Sequence, residues 1–455
     1  MSVLLSLVLS VIPIASFSAE KINPGSPCKS KNQAIKYLGK TYTCFKNGKN
    51  LIWDNGVSNT TQASKSANLK YTEPTQPSSN IDLCKTLEKS STRQGTPNDL
   101  ATGFPSVSSL AIKNGTVKWA LVPLEFTDVR GDANFKARVK DQMALLTEWY
   151  ESVSEGKFKI EWVVADDWIT LPGKSSDYKI PFSDGTDRSP AVAEFWEKAI
   201  FESDKYFDFT NVETVNFILP LKQNVVSETL QGFPWENSLK NTSTKEGKIT
   251  SFSIPGVFMN QGNRKYWSYW AHEFGHAMGM PHIGSSREAN PYMGLDLMGG
   301  NDGYARELSG WLRFVAGWLD DEKVYCQEFE KLVKTELTLV PLSGLSNGLK
   351  MVVIPVSDSK TLIIESRRET KFSCTMPNKR NGVLAYLYDS KLGHGENFLI
   401  PVTPKGRKAV GSSDCQVSRY PDPLLYKGQK ISVEGVTIEV LNSQNLDKIR
   451  ISKAS

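Results

Sequence analysis

The chain has 455 residues, more than one hydrophobic core usually supports, so we expect two or three domains. Hydrophobic residues make up 39% and charged residues 23% of the sequence, which excludes a chain that is disordered or collagen-like throughout. The formal net charge is only +5, and no aromatic stacking platform or nucleic-acid motif accompanies the basic residues, so the sequence does not favour binding to DNA or RNA.

The chain opens with an apolar run, Val3 to Ala15, that is followed by small residues. This pattern predicts a secretory signal peptide over residues 1–19, cleaved near Ser18 or Ala19. A buried N-terminal strand or helix is the alternative. No later segment has the roughly 20 consecutive apolar residues of a membrane-spanning helix. We therefore expect a secreted, extracellular protein with no transmembrane anchor.

Residues 20–57 are expected to form a small β module closed by a disulfide between Cys28 and Cys44. Nine lysines and a single acid fall within residues 21–70, so this part of the chain is strongly basic. Such a module could hold an anionic cell-envelope polymer, and a merely soluble basic face is the alternative. Residues 58–80 are rich in Ser, Thr and Pro and predict a flexible linker.

Residues 81–321 alternate between strand and helix patterns, which predicts an α+β domain with a mixed sheet. Strands are expected at 117–126, 157–162, 215–219 and 249–258, and helices at 135–153 and from Pro190 onward. The strand at 249–258 is placed near a sheet edge because Pro255 cannot donate to a ladder. Residues 322–455 lose the helical period and predict a C-terminal β-sandwich, with strands at 335–342, 351–356, 361–366, 382–388, 431–441 and 448–452.

The sequence has four histidines, and three of them lie within eleven residues: His272, His276 and His282. With Glu273 and Gly279 they complete the pattern H-E-x-x-H-x-x-G-x-x-H, which chance would produce in a chain of this length on the order of once in a million. On a helix, the first two histidines are one turn apart and share a face. The glycine lets the chain turn sharply, so that the third histidine can return to the same point.

Three neutral imidazoles with one open position are typical of a catalytic rather than a structural Zn2+ site. The ion would lower the pKa of a bound water to about 7, which makes a nucleophile available at neutral pH. Glu273, beside the first ligand but not on the metal, would act as general base and then as general acid. We therefore expect one catalytic Zn2+ held by His272, His276 and His282.

The extended motif resembles that of the metzincin zinc metalloproteases. The surrounding sequence, over about residues 110–445, is similar to that of the secreted bacterial immune-inhibitor-A-like peptidases. The resemblance implies a Met-turn, in which a methionine forms an apolar floor under the three histidines. Met298 in the sequence DLMGG is the candidate, and Met293 is the runner-up. Plain core packing is the alternative for either residue. Some metzincins carry a tyrosine two residues after that methionine. Position 300 is Gly in this chain, and Tyr304 is the candidate for a transition-state hydrogen bond.

Several other residues allow two interpretations. Cys84 could cap the zinc as a latency switch, but a structural disulfide is the favoured alternative; Cys84, Cys326, Cys374 and Cys415 can pair in three ways. His394, between two glycines, is expected to be an ordinary turn residue. Residues 301–303 lack the oxygen-ligand ladder of a calcium loop, so Ca2+ is possible but unsupported. Trp267 and Trp270 are expected to be core contacts of the zinc-binding helix.

The sequence thus predicts a secreted zinc metalloendopeptidase that acts on protein or peptide substrates. The substrate is expected to lie extended along the strand at 249–258. Two rival functions remain. One is a cell-surface or wall-binding protein whose metalloprotease fold is catalytically spent, and the other is a zinc hydrolase that cuts peptidoglycan amide bonds.

Overall fold

The fold is known from a computed structural model. It describes residues 25–31, 33–37, 40–47, 50–53, 57–58, 80–93, 100–106, 111, 113–178, 180, 189–226, 230–232, 243–249, 251–254, 266–284, 294–300, 307–372, 381–408 and 421–454. The predicted signal peptide and nearly all of the predicted linker lie outside these ranges. The chain divides into two compact units, residues 1–72 and 73–455. No helix in the described ranges is long and apolar enough to cross a membrane.

The first unit contains a small antiparallel sheet built around one central strand, β2. Its strands are β1 (Ala34–Tyr37), β2 (Lys40–Asn47), β3 (Asn50–Trp53) and β4 (Val57–Ser58), and β2 pairs with each of the others. A disulfide joins Cys28 to Cys44, as the sequence predicted. Tyr42, Cys44 and Trp53 form a minimal buried core. A cluster this small gives little hydrophobic stabilisation, so the covalent bond matters for the stability of the unit.

The second unit begins with a mostly parallel sheet that carries helices on both faces. Its strands are β5 (Gly115–Glu125), β6 (Phe158–Val164), β7 (Ile169–Thr170), β8 (Val212–Ile218), β9 (Leu230–Gly232) and β10 (Ser251–Ile254). The strand order is β6-β5-β8-β10-β9, and β7 pairs with the far end of β5. β9 runs antiparallel to β10 and forms one edge. The expectation of an edge strand at 249–258 is therefore wrong, because β10 lies between β8 and β9.

The helices of this layer are α1 (Phe135–Val153), α2 (Ser189–Ser203), α3 (Tyr266–Ala277) and α4 (Gly310–Val315). Side chains of β5 alternate between two cores. Trp119 and Leu121 pack with α1 and α3, whereas Val122 and Leu124 pack with α2. The Tyr150 hydroxyl of α1 donates to the Ala271 carbonyl of α3 at 2.9 Å, which fixes the two helices against each other.

Two sheets follow, and they face each other across a shared apolar core. One has the order β11-β13-β14-β15-β16 and the other the order β12-β19-β18-β17. The first is made of β11 (Val324–Cys326), β13 (Met351–Pro355), β14 (Lys360–Arg367), β15 (Gly382–Asp389) and β16 (Leu399–Pro401). The second is made of β12 (Thr335–Leu339), β17 (Lys430–Val433), β18 (Val436–Ser443) and β19 (Asp447–Lys453). The single run expected at 431–441 is in fact two strands, which a tight turn at Glu434 and Gly435 separates.

The five-stranded sheet is buried on both of its faces. One face packs into the core around α3, through Val353, Ile363 and Tyr386. The alternate residues of the same strands pack against the four-stranded sheet. Residues on both sides of position 321 therefore share one core. The predicted domain boundary between 321 and 322 falls inside a single compact unit, and the domain limits stay a prediction.

Residues 80–93 and 100–106, here called the strap, join the two layers of the second unit. Cys84 of the strap forms a disulfide with Cys326 of β11, 242 residues further along the chain. The Ala101 N–H donates to the Gly279 carbonyl, and the Thr102 carbonyl accepts from the Trp311 indole. Cys84 is thus not available as a zinc-capping thiol. Cys374 and Cys415 lie outside the described residues.

Replacing both Cys84 and Cys326 with Ser should lower the free energy of unfolding of the second unit by about 2–5 kcal/mol, because the unfolded chain would lose a very long covalent loop. Chemical denaturation followed by tryptophan fluorescence measures this change. The matched control is Cys28→Ser with Cys44→Ser, which should leave the unfolding of the second unit unchanged. Equal stability of the Cys84/Cys326 variant and the unaltered protein would contradict the prediction.

Candidate metal centre

The helix that carries the histidine motif is buried at every described side chain except His276. Trp267 and Trp270 are each about 1% exposed, and they pack edge-on or tilted against Phe372 and Trp162. Phe274 lies 4.2 Å from the ring of Trp119. Large apolar side chains buried in this way fix a helix against its neighbours. Its surroundings therefore hold the motif rigidly, as the sequence predicted for the two tryptophans.

The helix ends in a glycine turn that has the hydrogen bonds of a Schellman motif. The Met280 N–H donates to the Gly275 carbonyl and the Gly279 N–H to the His276 carbonyl, both at 2.9 Å. Gly279 has φ of +86°, in the left-handed region where a glycine carries no steric penalty. The chain reverses at this point, and His282 returns toward the helix face that it has just left.

The three histidines converge on one point. The Nε2 atoms of His272 and His276 lie 3.0 and 2.9 Å from Nε2 of His282. Within the described residues they are the one group of three or more His, Cys, Asp or Glu side chains placed closely enough to share an ion. His272 is fully buried, and the other two are partly buried.

Backbone carbonyls fix the tautomer of two of these rings. His272 Nδ1 lies 2.8 Å from the Leu297 carbonyl, and His276 Nδ1 lies 2.8 Å from the Met280 carbonyl. A carbonyl oxygen can only accept, so each Nδ1 carries the proton and each Nε2 carries a lone pair. These lone pairs face the centre of the cluster.

This arrangement fits a divalent metal ion. Two lone pairs face Nε2 of His282, which can supply at most one proton, so one of the two close nitrogen contacts has no hydrogen between its atoms. A shared cation removes that repulsion. Nitrogen ligands of tetrahedral Zn2+ are about 3.3 Å apart, close to the observed spacing. Three imidazoles are also a donor set that Zn2+ favours.

Burial keeps His276 and His282 in their neutral, metal-binding form. Desolvation, with His394 as a second cause, lowers the pKa of His282 from 6.5 to about 4. Desolvation likewise lowers the pKa of His276 well below 6.5, and the neighbouring histidines lower it further. Protons therefore compete with a metal for these nitrogens only at acidic pH.

Glu273 lies beside the cluster on the same helix and is 8% exposed. It directly follows His272, so its side chain leaves the helix about 100° away from the ligand face. Its carboxylate is not one of the three converging groups. The carboxylate that follows the first histidine is therefore buried, and it is not a member of the group that could share an ion.

Met298 lies under the helix, in a short turn that several backbone bonds hold in place. The Asp296 carboxylate accepts from the N–H groups of Met298 and Ser309, and the Met298 carbonyl accepts from the Ile283 N–H. A Cβ added to Gly275 would come within 3.0 Å of the Met298 sulfur. Gly275, at one of the two variable positions between His272 and His276, thus lets the methionine approach the helix closely.

A buried polar network from β14 holds the same turn. The Arg367 guanidinium donates to the Leu295 carbonyl at 3.0 Å and to Glu365. Glu365 also accepts from the Gly310 N–H and the Tyr386 hydroxyl, both at 2.8 Å. The segments around residues 310 and 365, more than 50 positions apart in the sequence, are therefore in direct contact beside the turn that carries Met298. No local sequence pattern predicts this contact.

His394 lies in a turn, as expected, but that turn packs against the third histidine. Its ring stacks on His282 at 5.0 Å between ring centres and 23° between planes. The sequence offered no local signal for this contact, because 112 residues separate the two histidines. Tyr304, Met293 and residues 301–303 lie outside the described residues, so their expected roles stay predictions.

A surface cleft of about 620 Å3 lies away from the histidines. Its lining residues come from β5, the end of β6, β7 and the segment 206–210. None of the three converging histidines lines this cleft. A large cleft is often the default candidate for a binding site, but here the titratable and metal-binding chemistry lies elsewhere.

Comparison with known proteins agrees with this geometry. Residues 251–338 match the Peptidase M66 family, a metalloprotease family of the immune-inhibitor-A-like kind. The matched segment contains β10, α3, the three histidines, Met298 and α4. No curated protein sequence matches the chain significantly. The match confirms the metalloprotease resemblance and supports a metallopeptidase that acts on protein substrates.

Gly279→Ala should destabilise the protein by about 1–2 kcal/mol, because alanine disfavours the left-handed backbone. The turn would relax and shift His282, so the affinity for Zn2+ should also fall. Chelator competition measures the affinity, and thermal unfolding measures the stability. Gly317, with φ of +79° and open space around an added Cβ, is the matched control. Gly317→Ala should cost similar stability at unchanged affinity; equal affinities in both variants would argue against this role of Gly279.

The metal-free protein should lose stability as the pH falls from about 6.5 to about 4. In this window an unfolded histidine binds a proton, whereas the folded His282 does not, so protonation favours the unfolded chain. Above 6.5 both states are neutral and the contribution is fully present. Denaturation of chelator-treated protein at several pH values measures the slope.

The control for this pH dependence is the double variant His276→Gln with His282→Gln, since other titrating groups contribute a background in both proteins. The double variant should show a shallower loss of stability between pH 6.5 and 4. An identical slope in the two proteins would show that these histidines are not protected from protonation by folding.

Proposed function

We propose that this protein is a secreted, zinc-dependent endopeptidase of the metzincin type. The observation that carries the proposal is the convergence of three imidazole Nε2 atoms, two of them in a tautomer fixed by the backbone, beside the buried Glu273. The family match over residues 251–338 supports the same class of enzyme.

In this mechanism His272, His276 and His282 hold one Zn2+, and Met298 is the apolar floor beneath them. The bound ion would lower the pKa of a water molecule and polarise the scissile carbonyl. Glu273 accepts the proton of the attacking water as the new carbon–oxygen bond forms. It then gives that proton to the leaving nitrogen as the peptide bond breaks, and the products are a carboxylic acid and an amine.

The substrate is proposed to lie extended along β9, the antiparallel edge strand in the described part of the sheet. A chain added beside Leu230–Gly232 would bind through main-chain hydrogen bonds, which tolerate many side chains. This replaces the earlier expectation of the strand at 249–258. Tyr304 remains the proposed source of a transition-state hydrogen bond.

Secretion is proposed from the N-terminal apolar run and the two disulfides, since such bonds persist outside the cytosol. The first unit is proposed to hold an anionic cell-envelope polymer. Lys29, Lys31 and Lys46 are exposed on it, and the pairing of Cys28 with Cys44 keeps the sheet that presents them closed. Such attraction would weaken with added salt.

Glu273→Gln should bind Zn2+ with normal stoichiometry and lower kcat by about 100- to 10,000-fold, because the amide cannot accept the proton. Elemental analysis and cleavage of a fluorogenic peptide measure the two quantities. Glu161→Gln, at an exposed position of β6, is the matched control and should keep full activity. Retained turnover in the Glu273 variant would remove this residue from its proposed role.

Casein and purified peptidoglycan separate the rival functions. Chelator-sensitive cleavage of casein supports the endopeptidase, whereas release of peptidoglycan fragments without casein cleavage supports the amide hydrolase. A protein that binds Zn2+ and cuts neither would fit the catalytically spent wall-binding protein. The intact Glu273 argues against that last outcome, since a binding protein needs no general base.

A further inference from the structure

The fourth histidine of the chain lies at the metal centre. His394 belongs to the connection between β15 and β16, yet its ring stacks on His282 and lies 6.1 Å from the ring of His276. All four histidines in the sequence are therefore gathered in one place. His394 is not within ligand distance of the shared point, so its contribution must be indirect.

His282 needs an anchor that the helix does not provide. His272 and His276 are held by the backbone ladder of α3, but the helix ends at Ala277, before the third histidine. The turn at 393–396 supplies the missing bonds. The His282 N–H donates to His394 Nδ1 at 3.1 Å, and the His282 carbonyl accepts from the Gly395 N–H at 3.1 Å.

The turn is itself firmly held. The Glu396 carboxylate accepts from the Gly393 N–H at 2.7 Å, and the Glu396 carbonyl accepts from the Gly284 N–H at 2.8 Å. On its other side the Leu392 carbonyl accepts from the Thr102 hydroxyl of the strap. The segment that carries His282 is therefore bound at two residues to a turn that is anchored independently.

The hydrogen bond also sets the chemical form of His394. A backbone N–H can only donate, so Nδ1 of His394 must carry a lone pair. The property that a substitute must reproduce is thus an acceptor at the Nδ1 position. Asparagine can place its side-chain oxygen there, and phenylalanine keeps the flat ring without an acceptor.

We propose that His394 is a positioning residue of the metal centre, which fixes the backbone and ring of His282 so that its Nε2 faces the other two ligands. This inference rests on the proposed metal site and extends it. Partners that orient a ligand in this way typically change metal affinity by about 10- to 100-fold when they are removed.

The test compares His394→Phe, His394→Asn and the control Lys391→Ala, whose side chain is exposed in the same connection. The Zn2+ dissociation constant, from competition with a chelator of known affinity, should rise by about 10- to 100-fold in the Phe variant. It should stay within about threefold of the unaltered protein in the Asn and Lys391 variants. The visible absorption of the Co2+-loaded protein should shift in the Phe variant and be restored by Asn.

A Phe variant with unchanged affinity and spectrum would overturn the inference. So would an Asn variant impaired as much as Phe, since the acceptor would then not be the cause. If the Phe variant does not fold, His394→Ala adds no bulk and carries the same expected loss. Failure of the unaltered protein to bind Zn2+ would instead overturn the proposed function, together with the inference built on it.

Discussion

The candidate metal site depends on the direction in which the rings of His272 and His276 point. Each ring donates a hydrogen bond from Nδ1 to a backbone carbonyl, one in the turn that carries Met298 and one just beyond the end of its own helix. These two bonds turn the remaining lone pairs toward a common point that a divalent cation can occupy. Without them the rings could rotate or change tautomer, and the H-E-x-x-H pattern would be only a sequence of polar residues on a buried helix.

The partners of these rings come from widely separated parts of the chain. Leu297, which accepts from His272, lies in a turn held by Asp296 and by Arg367 of β14. His282 is held by the turn that contains His394. The C-terminal sheets therefore do more than cover the layer that carries the histidines. They carry the second set of contacts on which ligand orientation depends, and this explains why one core runs through both layers.

Local patterns in the sequence predicted the elements that local physics determines. The helix at 135–153 was predicted with its observed bounds. Its apolar residues recur every three or four positions, so they share one face of a helix. The three histidines were predicted to converge because their spacing combines one helical turn with a glycine reversal, and they do converge. The antiparallel edge β9 was missed because three residues carry too little pattern.

The contacts of His394, Arg367 and Glu365 were missed for a different reason. The bonds from His394 to His282, from Arg367 to Leu295 and from Glu365 to Gly310 each join residues more than 50 positions apart. No periodicity within a strand or helix reports such a contact. The strand β14 illustrates this, since it is buried on both faces and so lacks the alternation that would show which side meets the helices.

The bond between Cys84 and Cys326 has a practical consequence for anyone who handles the protein. Exposed loop tips are the preferred sites of proteolytic nicking. Every loop between these two cysteines, including those on either side of α3, lies inside the covalent ring that they close. A single nick there leaves both fragments attached, so the damaged molecule keeps its mass and migrates near the intact band until a reductant is added. Electrophoresis with and without reductant is therefore needed to judge whether a preparation is whole.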